Sequence, residues 1–124
     1  MTDCTQSSFE FQGLGKKKVT VDFSGGYLSS DGGGLFLREA EQKLGVIGKL
    51  AKYFKDRRNF GFIEHRVEEL LRQRIFGLAL GYEDLNDHDR LRFDPLYALL
   101  AGKKDITGEH RNTKRDESKA LAAH

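Results

Sequence analysis

Two hydrophobic periods divide the chain. Val19, Val21 and Phe23 alternate with Thr20 and Asp22, and their β-branched content predicts a strand. Ser24-Gly25-Gly26 is a turn signal, and Tyr27-Leu28-Ser29-Ser30 can return as a second strand. A lone hairpin is marginal in water and needs something to lean on. From Leu35 the period becomes helical. Leu35, Phe36, Leu37, Ala40 and Leu44 make one apolar stripe, with Ser30 or Asp31 as its cap and Gly45 as its stop. Val46, Ile47, Leu50, Ala51, Tyr53 and Phe54 make a second, with Lys49, Lys52 and Lys55 on the wet side. The longest stripe is Ile63, Val67, Leu70, Leu71, Ile75 and Leu78, and Glu68 precedes Arg72 by four residues in the favourable order. Asp94-Pro95 restarts the chain as N-cap and N1, and Gly102 ends the last helix.

The prediction is a mainly α fold: a small bundle of four or five helices with a short N-terminal β-hairpin. The helices fall at residues 35–44, 46–55, 63–80, 85–91 and 95–101. Val67, Leu70, Leu71, Ile75, Leu78 and Leu96 are expected among the most buried. Residues 1–18 read as a mobile arm and 19–102 as the helical domain. Residues 103–124 read as a charged linker or tail, since Ile106 is its one large aliphatic before Ala120.

Composition limits what such a bundle does. Only 38% of the 124 residues are hydrophobic and 32% are charged, so the core is modest. No apolar run approaches the ~18 residues of a membrane span. The first ten residues lack the basic and apolar regions of a signal peptide. A lone Cys4 fits a reducing compartment. With 21 basic and 19 acidic side chains the net charge is +2, so nucleic-acid binding has to come from local clustering. Three basic groups qualify: Lys16 to Lys18; Lys49, Lys52, Lys55, Arg57 and Arg58; and Lys103, Lys104, Arg111, Lys114, Arg115 and Lys119. The expected DNA contacts are Lys52, Lys55, Arg57 and Arg58 at a helix end, supported by Lys103, Lys104, Arg111, Lys114 and Arg115. Charge runs are commonly only solvated faces, and that reading stands beside this one.

Other motifs fail on chemistry. Ser30-Asp31-Gly32-Gly33-Gly34 lacks the lysine and hydroxyl residue of a phosphate loop. Asp84, Asn86, Asp87, His88 and Asp89 lack the central glycine and terminal glutamate of a calcium loop. His65, His88, His110, His124 and Cys4 have no zinc spacing. Neither Ser29 nor Ser30 sits in a nucleophile motif with His65.

Several stretches together carry a resemblance. One is Leu28-Ser29-Ser30-Asp31-Gly32-Gly33-Gly34. The longer runs from Val67-Glu68-Glu69-Leu70-Leu71-Arg72-Gln73-Arg74 through Gly81-Tyr82-Glu83-Asp84-Leu85-Asn86-Asp87-His88-Asp89-Arg90-Leu91-Arg92, closed by Asp94-Pro95. From about Val19 to Ala122 the chain resembles the N-terminal region of bacterial insertion-sequence transposases of the transposase DDE domain group 1 family. That resemblance implies DNA strand transfer by two aspartates and a glutamate on an RNase H-like core, holding divalent metal, normally magnesium. In the family this core follows the region seen here, so no triad position carries over and no catalytic or metal-ligating residue is assigned. The expectation is a truncated transposase in the bacterial cytoplasm, inactive alone and without its own cofactor. Its implied partners are transposon-end DNA and the catalytic core, with room for an oligomer. The alternatives are a free-standing DNA-binding regulator of transposition and a structural packing unit of the full enzyme.

Overall fold

Strand alternation begins earlier than Val19. A computed structural model describes residues 8–25, 28–109 and 119–122 of the chain. Its hairpin joins β1, Ser8–Leu14, to β2, Lys17–Asp22, in antiparallel register with Phe9 opposite Val21 and Phe11 opposite Val19. Gly15, at φ 61°, supplies the left-handed residue of the turn. The hairpin is therefore N-terminal as expected, but its partner strand is not Tyr27 to Ser30. Leu28 and Ser29 are irregular, and Tyr27 lies outside the described residues. Phe9 and Phe11 explain the difference, because they put two large apolar side chains on the inner face of a segment that otherwise reads as polar. Of the arm predicted over 1–18, residues 8–14 and 17–18 are thus strand, and residues 1–7 lie outside the described set.

Five helices follow: α1 Gly34–Leu44, α2 Val46–Ala51, α3 Val67–Ala79, α4 Asp87–Leu91 and α5 Pro95–Ala101, with a single 3₁₀ turn at Phe60–Phe62. The mainly helical bundle with a short N-terminal hairpin is as the periodicity predicts. Local capping differs. Neither Ser30 nor Asp31 caps α1 through its side chain. The first N–H groups of α1 bond instead to the carbonyls of Asp31, Gly32 and Gly33. The Asp31 carboxylate accepts a bond from the Tyr82 hydroxyl at 2.7 Å. Gly34 is required by packing, since a Cβ there would meet Leu100 Cδ1 at 2.9 Å and Leu80 Cδ1 at 3.1 Å. Gly45 stops α1 as expected, and Asp94 caps α5 by accepting from the Leu96 N–H at 2.9 Å.

α5 occupies the centre. Tyr97, Ala98 and Ala101 join Leu91, Ala120 and Leu121 in one apolar cluster. Leu100 joins Leu35, Ile47 and Phe76 in another, against which Phe11, Val19 and Val21 of the hairpin pack. Ala120 and Leu121, which the sequence places in a charged tail, are buried in the first cluster.

The expected burial of α3 is displaced around the helix. Its buried residues are Gln73, Phe76 and Gly77, while Val67, Leu70, Leu71, Ile75 and the neighbouring Leu96 are only half-buried and Leu78 is 47% exposed. On the buried side Phe76 packs into the Leu100 cluster, and its burial outweighs any single hydrogen bond. A polar anchor sits beside it. Gln73 Nε2 lies 3.1 Å from His88 Nδ1 and donates to the Ala122 carbonyl at 3.1 Å. That bond ties the Gln73 side of the helix to the returning C-terminal segment.

Leu100→Ala should lower unfolding free energy by about 2–5 kcal/mol, as expected for a fully buried leucine. Leu78→Ala should change it by no more than roughly 0.5 kcal/mol, as for a surface site. Urea unfolding of the two variants checks this, and equal losses would mean that α3 packs through Leu78 after all.

Candidate nucleic-acid interface

The basic residues singled out by sequence fall into three structural groups. Lys52, Lys55 and Arg57 are exposed and have no ion-pair partner among the described residues. Arg58 is exposed but engaged: its Nε and Nη2 donate to the two carboxylate oxygens of Asp56 at 2.9 and 2.8 Å, and Nη2 also donates to the His65 carbonyl at 2.9 Å. Lys103 points inward. Its side chain is 13% exposed, pairs with Glu69 at 2.9 Å and donates to the Glu64 carbonyl at 2.8 Å. It ties the chain after α5 to the start of α3, where the Glu69 carboxylate also accepts from the Arg66 N–H. Lys104 is exposed, and its carbonyl accepts from Lys17 Nζ at 3.4 Å. Arg111, Lys114 and Arg115 lie outside the described residues.

The second predicted helix ends at Ala51 rather than Lys55. Lys52, Tyr53 and Phe54 continue as tight turns, each N–H bonding to the carbonyl three residues before. Tyr53 and Phe54, read by sequence as part of an apolar stripe, consequently face out at 87% and 53% exposure. The 3₁₀ turn adds Phe60 and Phe62 at 81% and 86%. The α2 start is itself held by a buried charge: Glu41 of α1 accepts from the N–H groups of Val46, Ile47 and Gly48 at 3.1, 2.7 and 3.4 Å. A carboxylate at a helix N-terminus answers both the free donors and the helix dipole.

The loop between α2 and α3 is built from short polar bonds. Asn59 Oδ1 accepts from the Gly61 N–H at 3.1 Å and caps the 3₁₀ turn. The Arg58 bridge spans Asp56 and His65. Hydrogen bonds from the Arg58 side chain, then from its backbone N–H, hold the Asp56 carboxyl down at about 2, and the same pairing raises the Arg58 guanidinium. Residues 49–66 contain six lysines and arginines against two acids, a charge of +4 in a chain whose total is +2. The remainder is therefore net acidic, and this segment is a local excess of positive charge. Periodicity missed the aromatic part of the patch because Phe60 and Phe62 belong to no repeat. The legible signal was their position, flanking Gly61 just after Arg57-Arg58-Asn59.

A cleft of about 250 Å³ beneath the hairpin is lined in part by Arg38, Glu41, Arg72 and Lys104. Arg38 and Arg72 already have partners there. Arg38, whose guanidinium burial pushes down, donates to the Gln12 and Gly13 carbonyls, and Arg72 pairs with Glu68 as the spacing predicts.

A family model described as transposase DDE domain group 1 matches residues 11–116. No curated protein and no solved structure matches the chain. Among the described residues, no three His, Cys, Asp or Glu side chains group to hold a metal ion. Asp84, within the acidic cluster, accepts from the Asn86 N–H at 3.0 Å. None of the described helices is long and apolar enough to cross a membrane.

The Asp56 pairing carries a pH signature. Its folded pKa lies below the usual 3.8, so the stabilisation is present above that value and is lost as pH falls toward 2. An NMR titration of the Asp56 carboxyl should give a midpoint near 2, rising toward the ordinary carboxylate range in Arg58→Ala, which removes the side-chain bonds and keeps the backbone N–H. A wild-type midpoint near 3.8 would show that the bridge does not brace the loop.

Proposed function

The chain belongs to the transposase DDE domain group 1 family, and on that premise we propose that it is the DNA-end-binding portion of a transposase, working beside a catalytic core and contributing no metal-binding triad of its own. The observation that carries this reading is the +4 segment at residues 49–66, where Lys52, Lys55 and Arg57 are exposed and unpaired among the described residues. Long cationic side chains at a helix end and its following turn reach phosphate oxygens without reading base edges. Such contacts set position and affinity rather than sequence preference. Lys104 and, from the sequence alone, Arg111, Lys114 and Arg115 are further candidates for phosphate contact. Arg58 supports it by shaping the loop, and Lys103 by holding the fold.

Assembly with the catalytic core is the second role. Leu44, Val46 and Leu50 are exposed along the junction of α1 and α2 and the outer side of α2, an apolar strip suited to a protein neighbour. The strip also serves the alternative in which the unit only packs against that core. A free-standing regulator would use the same cationic patch to compete for the same DNA.

DNA binding is checked with the full chain and a duplex oligonucleotide across a salt series. Combined Lys52→Ala, Lys55→Ala and Arg57→Ala substitutions should weaken binding and flatten the log–log salt slope by about 0.9 for each phosphate no longer neutralised. Lys103→Met should instead lower the melting temperature and leave the slope unchanged. Identical slopes in wild type and the triple variant would remove this patch from the interface.

A further inference from the structure

The cationic patch is interleaved with aromatic rings that phosphate binding does not use. Tyr53, Phe54, Phe60 and Phe62 lie within ten residues, and each is more than half exposed. Large aromatics ordinarily bury most of their surface, because their apolar area dominates core energetics. Here the local backbone holds them out. The tight turns after α2 carry Tyr53 and Phe54 past the end of the packed helix. The Asn59 cap fixes the 3₁₀ turn bearing Phe60 and Phe62, and the Asp56–Arg58–His65 bridge closes the loop around it.

Resting on the DNA-binding reading above, we propose that this loop is a stacking platform for unpaired bases: Tyr53, Phe60 and Phe62 receive base faces while Lys52, Lys55 and Arg57 hold the adjoining phosphates. Phenylalanine has no donor or acceptor with which to read a base edge, and a paired, stacked duplex offers its grooves only edges. A ring therefore gains from DNA where a base face is free. Stacking of this kind tolerates any sequence, since every base has a π-face, and it operates together with a positive groove along the backbone. Charge complementarity selects the occupant. Residues 49–66 carry +4 and include all four rings, and a strand with unstacked bases presents alternating anionic and flat apolar groups. The substrate class is thus DNA that is locally unpaired beside a duplex.

The experiment compares two fluorescently labelled DNAs of arbitrary sequence, one fully paired and one with a short unpaired flank, in anisotropy titrations of the full chain. Wild type should bind the flanked DNA roughly tenfold more tightly, within the range base–aromatic stacking supplies. Phe60→Ala/Phe62→Ala should erase that increment and leave both the paired-duplex affinity and the melting temperature unchanged, because both rings face solvent. The chain has no tryptophan, so Tyr53→Trp places a single reporter whose fluorescence should be quenched by the flanked DNA and not by the paired one. Equal wild-type affinity for the two DNAs, or a preference that survives the double substitution, overturns the stacking platform and leaves phosphate binding standing. Equal loss on both DNAs also overturns it. Absence of binding to either DNA at low salt overturns the DNA-binding reading itself and with it the stacking platform.

Discussion

Every part of this small fold is organised around a seven-residue helix too short to persist alone. Isolated helices of that length do not form in water, since nucleation outweighs the few bonds gained. Pro95–Ala101 holds because it is shared between two apolar clusters. Tyr97, Ala98 and Ala101 face one, and Leu100 faces the other. The small side chains at Ala98 and Ala101 let neighbouring chain come close, and the Tyr97 ring meets Tyr82 edge-on at 5.7 Å. The hairpin reaches α5 through the Leu100 cluster and residues 120–121 reach it through the Tyr97 cluster. Neither has enough apolar surface to fold by itself.

Polar and charged groups then hold what the apolar clusters cannot. Glu41 supplies the missing N-terminal partners of α2, Arg38 fastens the hairpin's carbonyls to α1, Lys103 links the end of α5 to the start of α3, and Gln73 gathers His88 and the C-terminal segment. A chain with a modest apolar fraction uses these ties at its joints, where backbone groups lose water and need replacement partners. In consequence, a charged residue's place in the sequence is a poor guide to its exposure. Lys103 and Lys55 both look like solvent-facing lysines, and only one of them is.

What the ties leave unused is the segment on which the proposed function rests. After α2 the chain crosses to α3 through a loop closed on its own short bonds. Its exposed cations and rings lie outside the two apolar clusters. On them rests the proposed contact with a polyanion that has flat faces.

Much of the architecture was legible from the chain. Helical spacing located five helices, Asp94-Pro95 and Gly102 bounded α5 to the residue, and the motif from Val67 to Arg92 pointed to the family. These signals are local or nearly so: caps, φ restrictions and the period of one face act within a few residues. The errors arose wherever a distant partner decided. The strand at Ser8–Leu14 depends on pairing with β2, the buried side of α3 depends on Phe76 meeting the Leu100 cluster and Gln73 meeting Ala122, and α2 stops at Ala51 with Tyr53 and Phe54 exposed beyond it. The cationic segment could be read from its charges, whereas the separation of exposed Lys55 from the buried tie at Lys103 could not. Periodicity states which residues share a face. Which face turns inward depends on long-range contacts, and for α3 these are the Phe76 ring in the Leu100 cluster and an amide bonded to a carbonyl 49 residues away.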